Sequence, residues 1–166
     1  MSLAAAPAPT EVGLPLGNEA DPYSPAVARL VRSVVEYTRW PGDRASLRAC
    51  VVGPADHAGD LLSGAALRAA GIRASEVSAE AAGPAGCEIV YLGRLSLEQQ
   101  RAVTARMRGS AVLTIAENDP ACRSRAMFCL LFEADALSFR LDIDAVANSQ
   151  VRIDPRVLRL GAGVSR

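Results

Sequence analysis

The chain has 166 residues with 18 basic and 18 acidic side chains, so it is the size of one ordinary domain and has no formal net charge. This balance argues against a nucleic-acid-binding protein or a polybasic membrane-surface protein, because both rely on clustered positive charge. All 18 basic residues are arginine, which excludes Schiff-base catalysis and a Walker-type phosphate loop, since both need a lysine. The expected partners are proteins or small molecules.

The first 20 residues are rich in alanine and proline and predict a disordered lead-in. We interpret residues 1–20 as the start of an exported protein after removal of its signal peptide, or as a remnant of an expression vector. Residues 21–166 are then expected to form a single domain. No apolar run reaches the ~18 residues of a membrane helix, so no membrane insertion is expected.

The middle of the chain alternates between helical and extended patterns. Ser24 and Pro25 predict the start of a helix with Ser24 as its N-cap, and an apolar stripe at helical spacing follows until Trp40 and Pro41 end it. Trp40 is interpreted as a packing anchor at this boundary. The elements predicted next are strands at 47–52, 72–77, 88–92 and 111–115 and helices at 55–70 and 96–107.

The last third of the chain adds an antiparallel piece. An apolar run that contains Cys129 is followed, after a short turn, by the alternating segment 137–143, which is typical of a β-hairpin. Strands separated by helices favour parallel pairing through right-handed crossovers. The predicted fold is therefore α/β, with a mixed sheet of about five to six strands flanked by helices and a C-terminal β-hairpin.

Sites for phosphate binding and hydrolysis find little support in the sequence. The turn from Val52 to Gly59 does not match a glycine-rich phosphate loop, and Pro54 removes a backbone donor from it. His57 is the only histidine, and a hydrolase would have to use it without a nucleophile-elbow motif. A solvated histidine at a helix start is the favoured interpretation.

Four carboxylates offer candidates for an acid–base pair: Glu117, Asp119, Asp142 and Asp144. Turns and helix caps explain such placements better than catalysis does. We therefore expect no enzymatic activity, no cofactor and no metal site.

The four cysteines carry the most information about the compartment. Their spacings fit neither a C-x-x-C redox motif nor zinc-ligand pairs. Cys50 and Cys87 are both placed at strand starts, and the first and third strands are neighbours in a doubly wound order, which brings the two sulfurs within bridging distance. That leaves Cys122 and Cys129 to close a short loop. Four reduced, buried cysteines of a cytosolic protein remain the alternative.

The two possible bridges differ in what they contribute. Loop-closure entropy assigns about 4 kcal/mol to a Cys50–Cys87 bond and about 2.5 kcal/mol to a Cys122–Cys129 bond. The shorter bond owes more to local geometry and is the better candidate for a labile or regulatory disulfide. A switch is therefore expected at the hairpin that this loop enters.

Several motifs, in one order from residue 33 to residue 161, resemble the YfiR family. They are Tyr37-Thr38-Arg39-Trp40-Pro41, Cys50-Val51-Val52-Gly53-Pro54, Cys87-Glu88-Ile89-Val90-Tyr91-Leu92-Gly93, the spacing from Cys122 to Cys129 that ends in Met127-Phe128-Cys129-Leu130, and Val151-Arg152-Ile153-Asp154-Pro155. The chain departs from the family pattern at Asp142, where many relatives carry asparagine, and at Ser149-Gln150, where a Ser-Gly turn is usual.

This resemblance implies a periplasmic repressor. Such proteins bind the periplasmic sensory domain of YfiN, an inner-membrane diguanylate cyclase, and keep cyclic-di-GMP synthesis and biofilm formation switched off, while the outer-membrane lipoprotein YfiB sequesters the repressor. The resemblance also implies a homodimer and two intramolecular disulfides, Cys50–Cys87 and Cys122–Cys129, which agrees with the argument from strand order.

A small-molecule site is a further expectation. Members of the family have been proposed to bind metabolites such as tryptophan or pyridoxal-type vitamers, and Arg152 matches an arginine of the pattern that can hold a carboxylate or phosphate. Arg39, beside Trp40, offers a second cation for a stacked or anion-binding site. The alternative is that Arg152 pairs with a surface acid on a neighbouring strand. A periplasmic metabolite-binding protein is therefore the second functional hypothesis.

Overall fold

The computed structural model describes residues 13–160 and 163–165. The helices of this part of the chain are α1 (Tyr23–Glu36), α2 (Gly59–Ser63), α3 (Ala65–Ala69), α4 (Leu97–Met107), α5 (Ile143–Ala147) and a 3-10 helix (Pro155–Leu160). Its strands are β1 (Leu14–Pro15), β2 (Thr38–Arg39), β3 (Leu47–Val52), β4 (Ile72–Val77), β5 (Ile89–Leu92), β6 (Leu113–Ala116), β7 (Phe128–Phe132), β8 (Ala136–Asp142), β9 (Arg152–Ile153) and β10 (Gly163–Ser165).

The main sheet has the order β1-β8-β7-β6-β5-β3-β4, with β10 also paired to β8. Five neighbouring strands run parallel, in the order β7, β6, β5, β3 and β4. Strand β8 returns antiparallel to β7 and forms the predicted hairpin. The mixed α/β fold is confirmed, and its six longer strands are those predicted. The short strands β1 and β10 extend the sheet because they pair with the outer edge of β8.

Helices cover both faces of the central strands, as the side chains of β3 show. Ala49 and Val51 belong to a core cluster shared with α1, whereas Cys50 and Val52 belong to a second cluster shared with α4. Successive side chains of a strand point to opposite faces, so a strand covered on both faces is almost continuously apolar. This explains the runs of buried residues in β3, β5 and β6.

Helix α1 buries the predicted apolar stripe, but its start differs from the prediction. Four residues of that stripe are at most 2% exposed: Val27, Leu30, Val31 and Val34. The helix begins at Tyr23, so Ser24 lies inside it and is not its N-cap. The Ser24 hydroxyl donates to Asp60 Oδ1 and accepts from the Asp60 amide, both at 2.8 Å. Ser24 therefore accepts a hydrogen bond from an amide in the first turn of α2, a contact that the sequence alone does not indicate.

The helix predicted at residues 55–70 is divided into α2 and α3. The break lies at Gly64, whose backbone is extended with φ −70° and ψ 116°. A Cβ atom on Gly64 would lie 2.4 Å from the Asp60 carbonyl oxygen, so this close contact requires glycine. The helix predicted at 96–107 is confirmed, including the capping box formed by Ser96 and Gln99.

The predicted lead-in falls into two parts. Residues 1–12 lie outside the described residues. Leu14 and Pro15 form β1 opposite Leu137 and Ala136, and the partly buried Leu14 packs against the main core. The segment 1–20, which was predicted to be a disordered lead-in, therefore contains a short edge strand that the packing of Leu14 anchors. Among the described residues, no helix combines the length and the apolar character needed to cross a membrane.

A separate two-stranded ribbon joins the two ends of the domain. Strand β2 follows α1 and pairs antiparallel with β9 near the C-terminus. The Asp154 amide continues this pairing by donating to the Tyr37 carbonyl oxygen at 2.8 Å. The ribbon therefore brings together two family motifs that are more than a hundred residues apart in sequence.

Candidate functional site

The first disulfide joins Cys50 and Cys87, which are 37 positions apart, with their Cα atoms separated by 5.8 Å. Cys50 lies within β3, opposite Val90 of the neighbouring β5, and Cys87 precedes β5 by two residues. Both sulfur-bearing residues are buried in the cluster that α4 covers. The bridge thus clamps two parallel neighbours, as the doubly wound order predicts, and forms part of the core.

Glu88, next to this bridge, accepts hydrogen bonds from two arginines and a tryptophan. Its carboxylate, almost fully buried, accepts from the Arg48 amide at 2.7 Å, from Arg48 Nε at 3.1 Å and from Arg44 Nη1 at 3.3 Å. Trp40 Nε1 donates to the Glu88 carbonyl oxygen at 3.3 Å, which anchors the Trp-Pro corner. Burial by itself raises the pKa of Glu88, but hydrogen bonds from Arg48 and the charges of both arginines outweigh it and hold that pKa below its ordinary value.

Replacing Glu88 by glutamine is expected to lower the unfolding free energy by about 1–3 kcal/mol at neutral pH, because charged hydrogen bonds become neutral ones. A carboxyl whose pKa is lower in the folded state adds stability above its unfolded pKa of about 4.3, and loses it as the pH falls through the folded value. The difference between wild type and Glu88→Gln should therefore shrink below about pH 4 in urea unfolding. The exposed Glu80→Gln is the matched control, and a difference that does not change with pH contradicts this interpretation.

The second disulfide joins Cys122, in the connection from β6 to β7, to Cys129, the second residue of β7. It spans seven positions, with Cα atoms 5.4 Å apart. Parallel neighbours such as β6 and β7 are usually joined by a crossover of about a dozen or more residues that contains a helix. The connection here, residues 117–127, contains no helix. The disulfide is therefore one of the constraints that replace helix packing in this crossover.

Asp119 orders the same loop from the inside. Its carboxylate is 5% exposed and accepts from the amides of Arg123 at 2.9 Å and Ser124 at 2.8 Å. Helix α4 holds the loop from the other side. Arg101 Nε donates to the Arg123 carbonyl oxygen and the Thr104 hydroxyl to the Ser124 carbonyl oxygen, both at 2.8 Å. The disulfide, the Asp119 carboxylate and helix α4 therefore all hold the loop in this conformation.

Two residues of this loop have a left-handed backbone conformation. Cys122 has φ 55° and Arg125 has φ 69°. The left-handed region costs residues other than glycine about 1–2 kcal/mol, and such strain persists only where the surroundings impose it. No sequence signal indicates it, because neither residue is of a type that favours this region.

A chemically suggestive trio is also present in this loop. Asp119, Cys122 and Cys129 each place one ligand-type atom within 4.8 Å of the others. A cysteine binds a metal as a free thiolate, whereas the two sulfurs here are bonded to each other. The trio in its oxidised form is therefore a disulfide beside a buried carboxylate.

A buried glutamate side chain lies at the edge of the sheet formed by the C-terminal ends of the parallel strands. Doubly wound proteins bind anionic ligands at this edge. Glu117 follows β6 and accepts from the amides of Asp56 at 2.8 Å and His57 at 2.7 Å, and from the Tyr91 hydroxyl at 2.9 Å. Burial, and then the charge of Glu117, raises the pKa of Tyr91 well above its ordinary range, so the hydroxyl remains a donor. Glu117 thus takes up two backbone amides at the edge where such proteins bind anions.

His57 contributes to an aromatic cluster beside this edge. Its ring centroid lies 4.4 Å from that of Phe132 and 5.1 Å from that of Tyr23, and its Nδ1 is 3.5 Å from Asp21 Oδ1. Within residues 13–160, no hydroxyl or thiol forms a hydrogen bond with the imidazole. His57 is therefore a partly buried packing residue and not the solvated histidine that was expected.

Arg39 and Arg152, the two arginines predicted to bind a ligand, lie directly opposite each other in the β2–β9 ribbon. Both are exposed. Within residues 13–160, neither guanidinium has a carboxylate oxygen within 4.0 Å, so the expected alternative, a surface ion pair of Arg152, is not seen. Like charges at facing positions of a β-ribbon repel each other.

Asp154, the acid nearest to the ribbon in sequence, is bound to Arg156 instead. Its carboxylate accepts from the Arg156 amide at 2.9 Å, from Nε at 3.0 Å and from Nη2 at 2.7 Å. The side-chain hydrogen bonds of Arg156 are the main cause that lowers the pKa of Asp154 to about 2, and the charge of Arg39 adds to it. Asp154 is therefore ionised and engaged, and it does not neutralise Arg152.

Both disulfides were predicted, and Glu117 and Asp119 were expected to serve turns or helix caps. No role was predicted for Glu88. Asp119 orders its own loop, whereas Glu117 accepts from the amides of a distant loop and Glu88 from Arg44 and Arg48. No local pattern reveals the contacts of Glu117 and Glu88. The signal that was available for Glu117 is its position directly after an apolar strand. Asp142, expected to serve a turn or cap, accepts from the Ala145 amide at 3.0 Å and caps α5.

Comparison with known families agrees with this arrangement. The YfiR/HmsC-like family model matches residues 24–162, a range that includes both disulfides, the β2–β9 ribbon and the hairpin. This family is regulatory and not catalytic, and the match supports a role as a periplasmic regulator of cyclic-di-GMP signalling. The chain belongs to the YfiR/HmsC-like family.

Proposed function

We propose that this protein is a periplasmic repressor that binds the periplasmic sensory domain of a YfiN-type inner-membrane diguanylate cyclase and lowers cyclic-di-GMP synthesis and biofilm formation. The family match over residues 24–162 is the observation that carries this proposal. The two disulfides support it, because such bonds persist in the periplasm and are rare in the cytosol.

Repression by binding requires no catalytic group. A regulator without chemistry of its own shifts the cyclase between states only by binding one state more tightly, and a ~100-fold preference corresponds to about 2.7 kcal/mol. The repressor acts as a homodimer. A YfiB-type lipoprotein relieves repression by mass action, because it removes free repressor from the equilibrium.

The Cys122–Cys129 bond gives this function a redox input. Cys122 is 8% exposed and Cys129 is fully buried, so an attacking thiolate reaches Cys122 and displaces Cys129. Reduction removes one of the constraints on the loop that leads into β7 and thereby lowers the stability of the β7–β8 hairpin. The fraction of protein competent to bind then falls, and so does repression.

The test is the affinity of the purified oxidised chain for the periplasmic domain of a YfiN-type cyclase, measured by biolayer interferometry. A dissociation constant of about 1 μM or below is expected, and the Cys122→Ala, Cys129→Ala protein should bind at least about fivefold more weakly. Arg73→Ala, an exposed change on the edge strand β4, is the matched control. No binding by the oxidised chain contradicts the proposed function, whereas equal affinity of the bridge-free variant contradicts only its redox input.

A second function, binding of a small anionic metabolite, is favoured by the β2–β9 ribbon. A carboxylate or phosphate between Arg39 and Arg152 would relieve their repulsion and accept hydrogen bonds from both. Such a ligand raises the unfolding temperature of the chain without any protein partner. The Arg39→Ala, Arg152→Ala protein should lose this stabilisation by tryptophan or pyridoxal phosphate.

A further inference from the structure

A cleft of about 370 Å³ lies between α4, the Cys122–Cys129 loop and α5. Its buried floor is mainly apolar: Met107, Val112 and Met127 lie there together with Thr104 and Thr114. Neither Arg39 nor Arg152 lines it. Its volume falls within the ~300–1,000 Å³ of typical small-molecule sites. The cleft therefore has the size of a ligand site and is distinct from the β2–β9 ribbon.

Three exposed arginines surround this floor: Arg101 on α4, Arg108 at the end of α4 and Arg125 in the disulfide loop. Within the described residues, none of the three has a carboxylate oxygen within 4.0 Å. Asp144 is the acidic residue among those that line the cleft, which leaves the lining with a net charge of +2. Unpaired guanidinium groups above an apolar floor match an anion with an apolar body.

The structure positions two of these arginines before any ligand is bound. Arg101 donates through Nε to the Arg123 carbonyl oxygen at 2.8 Å, which orients the guanidinium and leaves its Nη groups for a ligand. Arg125 is held at φ 69°, where glycine would be free of strain. Strained residues of this kind cluster at binding sites, and a function for the Arg125 side chain accounts for an arginine at this position.

We propose that this cleft binds a small organic anion, a carboxylate or phosphate ester on an apolar body. At ~30 Å³ per water-sized group, the cleft holds about ten to fifteen non-hydrogen atoms. Arg101 and Arg125 hold the charged head, and the methionine-lined floor covers the apolar part. The site goes beyond the proposed repression and does not depend on it, because it is complete in the isolated chain.

The methionines make the test specific, because two of the three in the chain, Met107 and Met127, lie in the floor. Their methyl signals in the full, oxidised chain are followed by NMR during titration with phenyl phosphate, 3-phenylpropionate and the neutral benzyl alcohol. Saturable shifts of both signals with at least one anion, and not with the alcohol, are expected. The two anions distinguish a phosphate from a carboxylate ligand. No shift with either anion, or equal shifts with the alcohol, overturns the proposal.

Variants separate binding from folding. Arg125→Gly relieves the left-handed strain, so it should unfold at the same or a higher temperature while its affinity for the bound anion falls at least about tenfold. Arg101→Gln should weaken binding to a similar extent. Arg73→Ala, an exposed change on β4 that does not line the cleft, is the control and should keep wild-type affinity. Wild-type binding by Arg125→Gly, or an equal loss of binding in Arg73→Ala, overturns the assignment to this cleft.

Discussion

Removal of the Cys50–Cys87 bridge is expected to lower the free energy of unfolding by about 4 kcal/mol, the loop-closure entropy of a 37-position loop. The change is large because an ordinary domain has only about 5–15 kcal/mol of stability in total. Both sulfurs lie in the core cluster under α4, so the Cys50→Ala, Cys87→Ala protein also leaves a small cavity there.

Urea unfolding of the oxidised proteins measures this loss. The matched comparison is Cys122→Ala, Cys129→Ala, which opens a loop of seven positions and should cost about 2.5 kcal/mol. The long bridge therefore serves stability, and the short bridge can be broken while the domain stays folded. If the short bridge proves the more stabilising of the two, this division of roles is wrong.

The Glu117→Ala protein is expected to lose about 3–5 kcal/mol, because it leaves three buried donors without an acceptor. These are the amides of Asp56 and His57 and the hydroxyl of Tyr91. Water cannot easily replace the carboxylate at Tyr91, which is 0% exposed. The loop after β3 should therefore become mobile at the carboxyl edge of the sheet.

Two further variants calibrate this result in the same urea experiment. Tyr91→Phe removes one of the three donors together with its need for an acceptor and should cost only about 1 kcal/mol. Glu117→Gln keeps an acceptor oxygen and should fall between the two. Amide hydrogen exchange at Asp56 and His57 should rise in Glu117→Ala and stay near the wild-type rate in Tyr91→Phe. Equal stability of Glu117→Ala and Tyr91→Phe contradicts the role of Glu117 as the acceptor for these three buried donors.

The central sheet was predictable because its strands are buried on both faces and read as apolar runs between helical patterns. A doubly wound order, in which the first and third strands are neighbours, placed Cys50 next to the strand that follows Cys87. The short pair, Cys122 and Cys129, then followed by elimination. The fold and the disulfides could therefore be predicted from the apolar pattern of the strands together with one rule for strand order.

Features set by contacts between distant segments were not predictable in the same way. Ser24 looks like an N-cap, yet its hydroxyl serves Asp60 on another helix. Arg39 and Arg152 were each identified alone, but their facing register arises only when β2 and β9 pair. The left-handed backbone of Arg125 is imposed by the packing of its loop against α4 and Asp119, and no residue type announces it.

Repression in cells tests the proposed function most directly. The chain is exported to the periplasm of a strain that carries a YfiN-type cyclase and lacks its native repressor, and cyclic-di-GMP is quantified by mass spectrometry. Expression of the wild-type chain should lower cyclic-di-GMP severalfold, and the Cys122→Ala, Cys129→Ala protein at matched periplasmic level should lower it less. An unchanged cyclic-di-GMP level with the folded, oxidised wild-type chain present would contradict its assignment as a repressor.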